Sequence, residues 1–267
     1  MKQLSRQDIR QRLLDILLNF YDFCHQNGLN PYLCAGTLLG AVRHGGFIPW
    51  DDDIDTCLDR VSYEKLMRIA KKGDTFNGHY KIVDFRFENS SYPFIKIVDL
   101  ETKMSQEFEN DEADYLWIDV FPMDGLPADV NKQKRLYRRV TFVREVQMLS
   151  FAKANGRTLV KKLVKPLIIP LAKIYGLKRA NKRLNKLAQT YDYRQTGWIG
   201  DVLWGEFGKE TLSVKEYFQS TTMSFEGHKF ETMACWDKYL TMLYGIDYMA
   251  IPPKSKRVDH RLTAWLR

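Results

Sequence analysis

Residues 49–55 read Pro-Trp-Asp-Asp-Asp-Ile-Asp and place four carboxylates in five positions. Like charges this close repel one another by roughly 1 kcal/mol per pair in water, and by more where water is excluded. Side chains alternate between the faces of a strand, so a strand over 54–58 would direct Asp53 and Asp55 to one side and Ile54 into the core. Two carboxylates on one face suit a hard cation, and Mg²⁺ takes oxygen ligands.

Two alternatives stay open for this acidic stretch. One is a solvated acidic turn after Pro49, with no ion bound. The other concerns the ligands, because Asp51 has the same parity as Asp53 and could compete for the metal. We favour Asp53 and Asp55 because Ile54 and Thr56 provide the apolar alternation that a buried strand requires.

Neighbouring segments carry groups that suit a phosphate ligand. A short apolar strand over 32–35 is predicted to end at Gly36-Thr37, where a glycine lets backbone N–H groups approach a phosphate. Residues 43–46, Arg-His-Gly-Gly, are predicted to form a basic flexible loop that grips an anion. Farther along, Asp119 interrupts the apolar run Trp-Ile-Asp-Val-Phe at 117–121. A buried lone carboxylate is costly, so Asp119 is expected to face a cation.

Other patterns predict the surrounding elements. Helical periodicity predicts helices from about Ser5 to Asn27, over 62–72 and over 236–244. Alternation predicts strands at 80–87, 94–100, 102–108 and 115–121, the last ending at Pro122. Strands at 221–225 and 228–232 would form a hairpin around Glu226-Gly227.

The order of these motifs resembles the metal site of the nucleotidyltransferase fold of DNA polymerase β and its relatives. The longer string over 35–55, AGTLLGAVRHGGFIPWDDDID, is similar to the LicD branch of that fold. Further similarity lies in WIDVFPMDG at 117–125, in FEGHKF at 225–230 and in scattered positions over 239–257. The resemblance therefore extends over nearly the whole chain except its basic middle. The LicD family includes bacterial phosphocholine transferases and is related to fukutin-type ribitol-phosphate transferases.

The resemblance implies an α/β (α+β) fold with a mixed sheet flanked by helices. It also implies metal-dependent transfer of phosphocholine from CDP-choline to a sugar hydroxyl of a cell-envelope glycan, a teichoic acid or lipopolysaccharide precursor, with release of CMP. One alternative is the same fold with another CDP-alcohol donor, transferring ribitol phosphate or glycerol phosphate. A third hypothesis is a non-catalytic protein that binds membranes or nucleic acid.

The resemblance and the residue chemistry together assign roles. Asp53 and Asp55 would hold Mg²⁺ or Mn²⁺, and Asp119 would complete the metal shell or accept the proton of the acceptor hydroxyl. The nucleotide and diphosphate would be bound by Gly36, Thr37, Arg43, Lys256 and Arg257. Trp50 is the candidate for choline, because quaternary ammonium groups bind over aromatic faces.

The net charge of +8 is unevenly distributed. Residues 132–186 hold 17 Lys/Arg and one acid, a charge of +16, so the remainder of the chain carries −8. We therefore divide the chain into a catalytic core (1–128), a basic helical segment (129–190) and a C-terminal part that completes the catalytic domain (191–267). Residues 151–186 mix cations with Leu, Ile and Val, which predicts contact with an anionic membrane surface. No nucleic-acid partner is expected, because the segment lacks a basic-aromatic motif.

Cysteine usage and the N-terminus bear on the compartment. The four cysteines include no C-x-x-C pair, which favours a reducing environment. The first ten residues carry charge where a signal peptide has an apolar run. The longest uncharged stretch in the basic segment, 166–172, is far shorter than a membrane span. The expected location is the cytoplasm, peripheral at the inner face of the cell membrane.

Overall fold

The computed structural model of the protein describes residues 1–104, 115–151, 169–257 and 262–267. The helices are α1 (Arg6–Gln26), α2 (Ala35–His44), α3 (Arg60–Ala70), α4 (Val130–Phe151), α5 (169–175), α6 (Leu177–Ala188), α7 (Tyr193–Thr196), α8 (Val214–Tyr217) and α9 (Trp236–Tyr244). The strands are β1 (Lys2–Gln3), β2 (Tyr32–Leu33), β3 (Asp55–Asp59), β4 (Thr75–Phe76), β5 (Tyr80–Val83), β6 (Ile95–Asp99), β7 (Thr102–Met104), β8 (Leu116–Leu126), β9 (Trp198–Gly200), β10 (Leu212–Ser213), β11 (Ser220–Phe225), β12 (His228–Met233) and β13 (Ala264–Leu266). This mixed architecture confirms the predicted fold class.

The central sheet is organised around β8, which has different partners along its length. Its first half pairs antiparallel with β6 and parallel with β3, and its last residues pair antiparallel with β9. The strand order across the sheet is β10-β9-β8-β6-β5-β4. In addition, β3 pairs with β8 on one side and with β2 on the other. Because β9 and β10 come from the C-terminal third, that part of the chain extends the same sheet. The three-part division of the chain stays a prediction.

The prediction that a strand ends at Pro122 is wrong, because β8 continues to Leu126. The Asp119 N–H donates to the carbonyl of Ile54, the residue just before β3, and backbone groups alternate between the two edges of a strand. The missing N–H of Pro122 therefore falls on the other edge. On that edge of β8, the pairing with β6 stops at the Ile95–Val120 pair, and the pairing with β9 starts only at Asp124. Pro122 lies in the gap between these two partners. No ladder hydrogen bond is lost at the proline.

The predicted strand over 32–35 and the predicted loop over 43–46 are both corrected. The strand is only Tyr32–Leu33, and α2 begins at Ala35, so Gly36 and Thr37 lie in its first turn. Arg43 lies in the last turn of the same helix, which ends at Gly45 with a φ of 70°. The middle of α2, from Thr37 to Ala41, is buried at every position, so the helix is enclosed on all sides there, and this burial outweighs the loop character of the glycines.

Three further strand predictions agree with the structure to different extents. The strand predicted over 80–87 stops at Val83, because the Asp84 carboxylate accepts a hydrogen bond from the Arg86 N–H and starts a 3₁₀ turn, Phe85–Phe87. The hairpin β11–β12 is confirmed, with Glu226 (φ 49°) and Gly227 (φ 80°) as its turn residues. The strand predicted over 102–108 is present as β7, and residues 105–114 lie outside the described part of the chain.

The largest hydrophobic cluster packs α1, α2 and α3 against the central sheet and the hairpin. A second cluster lies between the sheet and the basic helices α4 and α6, and includes Phe94, Leu126 and Leu184. The basic middle of the chain is therefore attached to the sheet by its own apolar face. Among the described residues, no helix combines the length and apolarity needed to cross a bilayer.

Candidate active site

A row of three charged side chains crosses three adjacent strands. Asp119 on β8 is the register partner of Asp55 on β3 and of Lys96 on β6. The Lys96 Nζ lies 3.0 Å from Asp119 Oδ1, and both side chains are largely buried. The distance between Nζ and Oδ1 is that of an ion pair, but the angles are not those of a hydrogen bond. Asp119 Oδ1 therefore accepts no hydrogen bond in the described structure. Sheet register thus brings two of the predicted acids together.

The remaining acids approach this row from the loop before β3 and meet the start of α2. The Gly36 N–H donates to the Asp55 carboxylate, and the Asp55 N–H donates to Thr37 Oγ1 at 2.7 Å. A Cβ at Gly36 would lie 3.3 Å from Asp51 Oδ2 and 3.6 Å from Asp55 Oδ2. Asp51 is also within hydrogen-bond reach of Asp53. Gly36 and Thr37 therefore hold Asp55 in place through hydrogen bonds, and they lie in a helix and not in a loop.

This crowding changes the protonation of the acids. Burial, and then the charges of Asp53, Asp119 and Asp51, raise the pKa of Asp55 well above its ordinary value. Burial also raises the pKa of Asp51. A hard divalent cation would offset this repulsion, and the available ligands are all carboxylate oxygens, as Mg²⁺ or Mn²⁺ prefers. The unaligned Oδ1 of Asp119 supports the same fit.

The carboxylates are nevertheless more spread than a closed metal cage. In the described part of the chain, three ligand atoms come within 4.8 Å of one another only at His79, Asp99 and Glu101. There Arg12 Nη1 donates to both Asp99 and Glu101, at 3.0 and 2.9 Å, so a guanidinium already supplies the positive charge. The acids around Asp55 form the better metal candidate, because their repulsion is compensated less completely, by Lys96 at Asp119.

A cavity of about 650 Å³ opens over the row of charges. Its lining includes the acids Asp52, Asp53, Asp55 and Asp119, and three more from the segment 201–210, namely Asp201, Glu206 and Glu210. Aromatic side chains complete the lining, namely Tyr92, Phe94, Trp117, Phe121, Trp204, Tyr239 and Tyr244. The volume is in the range of small-ligand sites, and the mixture of acids with aromatic faces suits a ligand that carries both phosphate-bound metal and a cationic or apolar group.

Glu210 is connected to the start of α2 through Tyr239. The Ala35 N–H donates to the Tyr239 hydroxyl, which donates to Glu210 Oε1 at 2.8 Å. Ala35 has a φ of 42°, a conformation that L residues rarely adopt, and it lines the cavity. Burial raises the pKa of Glu210 to about 8 and that of Asp201 to about 6. The surroundings of Glu210 therefore favour its protonated form well above the pH at which a carboxyl ordinarily ionises.

Three residues predicted to bind the ligand form a group outside the cavity lining. Arg43 Nη1 donates to the carbonyls of Tyr248 and Ala250, at 2.8 and 3.1 Å. The Arg257 guanidinium lies 4.2 Å from the Trp50 ring centroid, and that of Arg43 lies 5.9 Å from it. These contacts hold the C-terminal segment against α2. Trp50 thus already faces two cations, an unfavourable surrounding for choline.

The predicted nucleotide contact at Lys256 falls in the 3₁₀ turn Lys254–Lys256, adjacent to Arg257. The Arg257 Nε donates to the Pro252 carbonyl at 3.0 Å. The contribution of both residues to ligand binding stays a prediction.

Lys96 was not predicted as a site residue, although the sequence contains a pattern that points to it. Residues 94–98 read Phe-Ile-Lys-Ile-Val, one cation in an apolar strand, which is the same kind of pattern that singled out Asp119. Lys96 Nζ also lies 4.0 Å from the Trp117 ring centroid and 4.3 Å from that of Tyr92. The other cavity acids, Asp201 and Glu210, had no comparable local signal.

The predicted membrane segment, 151–186, is described only in part. Residues 152–168 lie outside the described residues, so the contact predicted for them stays a prediction. Its described C-terminal part, 169–186, comprises α5 and most of α6. A second and larger cavity, about 960 Å³, lies against these helices and α4.

Comparison with known proteins gives a consistent result. The family described as LicD/FKTN/FKRP, nucleotidyltransferase domain, matches residues 28–167. The chain is 28% identical over 267 residues to the lipopolysaccharide cholinephosphotransferase LicD of Haemophilus influenzae, covering 98% of each chain. It is 33% identical over 72 residues to an uncharacterized protein of Rickettsia typhi, covering 24% of this chain and 23% of the relative. An uncharacterized protein of Rickettsia prowazekii is 31% identical over 98 residues, covering 29% of this chain and 37% of the relative.

Proposed function

The chain belongs to the LicD/FKTN/FKRP nucleotidyltransferase family, and we propose that it is a phosphotransferase that moves phosphocholine from CDP-choline to a sugar hydroxyl. The proposed acceptor is a cell-envelope glycan, a lipopolysaccharide or teichoic acid precursor. The observation that carries the proposal is the group of acids around Asp55 and Asp119 on one wall of a cavity of ligand size. The relative from Haemophilus influenzae, similar along its whole length, supports the choline donor.

The reaction needs an aligned hydroxyl, a base and compensation for phosphate charge. The acceptor oxygen attacks the phosphorus that carries choline, the P–O bond to the CMP phosphate breaks, and CMP leaves with the bridging oxygen. The hydroxyl proton passes to a carboxylate, for which we propose Asp119. The Asp119 side chain lines the cavity and keeps 15% of its surface exposed, which supports contact between its carboxylate and the acceptor hydroxyl.

Asp53 and Asp55, with Asp119 beside them, are the proposed ligands of Mg²⁺ or Mn²⁺. Such an ion would neutralise charge on the donor's diphosphate and on the departing CMP. Gly36 and Thr37 keep the Asp55 backbone and carboxylate in place through hydrogen bonds. Lys96, one strand away, directs an ammonium group into the same cavity, and we propose that it contacts a donor phosphate oxygen.

For the choline group, the cavity aromatics are better candidates than Trp50. Tyr244 is 44% exposed and lines the cavity close to Asp55, and an aromatic face next to a carboxylate attracts a quaternary ammonium ion. One observation favours the alternative donors, CDP-ribitol or CDP-glycerol. The Lys96 ammonium already lies over the rings of Trp117 and Tyr92, and this cation would repel choline from that part of the cavity.

The test is CMP release from a panel of donors. The protein is incubated with Mg²⁺, a membrane extract and one of CDP-choline, CDP-ribitol or CDP-glycerol. We expect release from CDP-choline above the other two, and its loss in Asp53→Asn. Asp22→Asn, an exposed carboxylate on α1, is the matched control and should behave as the unchanged protein. CMP release that ignores Asp53→Asn would contradict the catalytic assignment, and a preference for a polyol donor would replace choline.

A further inference from the structure

A basic and apolar groove, separate from the catalytic cavity, lies between α4, α5 and α6. It has a volume of about 960 Å³ and is lined by four arginines, Arg135, Arg138, Arg139 and Arg183, together with apolar side chains. The described residues that line it include no carboxylate. In the part of the chain that the structure describes, none of the four arginines forms a salt bridge. Four uncompensated guanidinium groups around one groove indicate an anionic ligand.

The apolar side chains beside these arginines are unusually exposed. The exposed fractions are 67% for Phe142, 66% for Leu171 and 74% for Ile174. Phe142 and Leu171 belong to the groove lining, and Ile174 lies on the same short helix as Leu171. A ligand that is anionic alone would leave this surface in water. A ligand with a phosphate head and hydrocarbon chains would contact both kinds of side chain.

We propose that this groove binds the anionic phospholipid surface of a membrane. The arginines would contact lipid phosphates, while Phe142, Leu171 and Ile174 would enter the boundary between headgroups and acyl chains. Nucleic acid shares the phosphate chemistry, and Phe142 and Tyr175 could stack on its bases. The exposed aliphatic side chains of Leu171 and Ile174 gain nothing from such a ligand, whereas the acyl region of a membrane would bury them, and this favours lipid. Leu171, Tyr175 and Arg183 belong to the segment 151–186, for which the sequence predicts membrane contact, and the arginines of α4 extend the site beyond that segment.

The groove is mechanically connected to the catalytic cavity through α4. Arg144, on that helix, donates hydrogen bonds to the carbonyls of Trp204 and Gly205, and both of these residues line the cavity. The helix that presents the arginines to lipid therefore also supports one cavity wall. If the proposed function holds, membrane binding through α4 would bring the cavity close to an acceptor attached to a lipid. The lipid site itself does not depend on that function.

The experiment measures co-sedimentation of the full chain with vesicles. One vesicle preparation contains equal parts of phosphatidylglycerol and phosphatidylcholine, and the other contains phosphatidylcholine alone. The protein is expected to bind the anionic vesicles and to bind the neutral ones weakly. Each basic residue near an anionic surface strengthens partitioning about fivefold, so Arg135→Gln/Arg138→Gln/Arg139→Gln should weaken binding about 100-fold.

Two further variants separate the groove from general electrostatics. Lys71→Gln/Lys72→Gln/Lys229→Gln removes the same charge from exposed positions elsewhere, and it should bind anionic vesicles nearly as well as the unchanged chain. Phe142→Ser/Leu171→Ser keeps the charge and should weaken binding about tenfold or more. Melting temperatures verify that each variant is folded.

Several outcomes would overturn the proposal. It fails if the unchanged protein ignores phosphatidylglycerol, or if the distant lysine variant loses binding as strongly as the arginine variant. It also fails if the arginine variant loses affinity for duplex DNA while its vesicle binding is unchanged, since that result would assign the groove to nucleic acid. CMP release with a water-soluble acceptor is unaffected by the groove variants in this proposal, so failure of lipid binding and failure of the catalytic assignment are distinguishable.

Discussion

Replacing Lys96 by methionine should reveal how strongly the buried ion pair with Asp119 is coupled. The two charged atoms are 3.0 Å apart, and the side chains expose 4% and 15% of their surface. At an effective dielectric constant of about 20, two unit charges at this distance attract by about 5–6 kcal/mol. Desolvation opposes part of this attraction, but removal of one partner leaves Asp119 uncompensated beside Asp55. We therefore expect Lys96→Met to cost about 3–5 kcal/mol of unfolding free energy without added metal.

The assay is a double-mutant cycle measured by urea unfolding. It compares Lys96→Met, Asp119→Asn and the double variant, and the expected coupling energy is at least about 2 kcal/mol. The neighbouring strand provides a matched control, because Lys81 and Asp74 form a pair at 3.5 Å with side chains that are 30% and 37% exposed. Their coupling should stay below about 1 kcal/mol. A Lys96–Asp119 coupling as small as the control would refute the reasoning that this pair is a buried counter-charge for the acidic row.

Three other predictions follow from the same acids. Asp55→Asn should abolish CMP release while raising the melting temperature of the metal-free protein, because it removes charge repulsion; loss of folding would contradict this, and Asp22→Asn is the control. Folding raises the pKa of Asp55, so its stabilising contribution is present below the ordinary carboxyl pKa and is lost as the pH rises through the folded-state pKa. Because Mg²⁺ binds the ionised carboxylate, the Mg²⁺-induced increase in melting temperature should grow as the pH rises above the ordinary carboxyl range. An increase that is independent of pH would be inconsistent with metal binding at Asp55. The pKa of Glu210 is also raised on folding, to about 8, so the unchanged protein loses stability as the pH rises from about 4.5 to 8. Glu210→Gln does not titrate, so its stability relative to the unchanged protein should rise by up to about 1.4 kcal/mol per pH unit over this range. Urea unfolding at several pH values checks this, and a constant difference would show that Glu210 is ionised throughout.

Local sequence patterns were sufficient for several elements of the fold. The helix predicted from about Ser5 to Asn27 is present as α1, and Ser5 and Asp8 form both hydrogen bonds of a capping box at its beginning. The turn Glu226-Gly227 joins the predicted hairpin strands. These elements depend on neighbours within a few residues, so their signals lie within a short window of sequence. Pro122 was misleading for the same reason, because its effect depends on which strand lies at each edge of β8.

Only part of the candidate site could be predicted from the sequence. The predicted acids Asp53, Asp55 and Asp119 line one cavity, together with Asp52 from the same acidic stretch. The predicted anion-binding and choline residues, Arg43, Arg257 and Trp50, instead pack against one another. Sequence motifs indicate which residue types are unusual at a position, but they do not say which distant segment will satisfy them. The two arginines meet Trp50 because the C-terminal segment returns across α2.

The amino-acid sequence by itself determined the acidic stretch, the lone Asp119 in an apolar strand, and the concentration of positive charge in the middle of the chain. These features follow from residue identity and short-range periodicity. The tertiary structure decided that Asp55, Asp119 and Lys96 stand side by side, and that four arginines surround an apolar groove. Strand register and helix packing set those distances, and both depend on contacts between segments far apart in the chain, which no local pattern encodes.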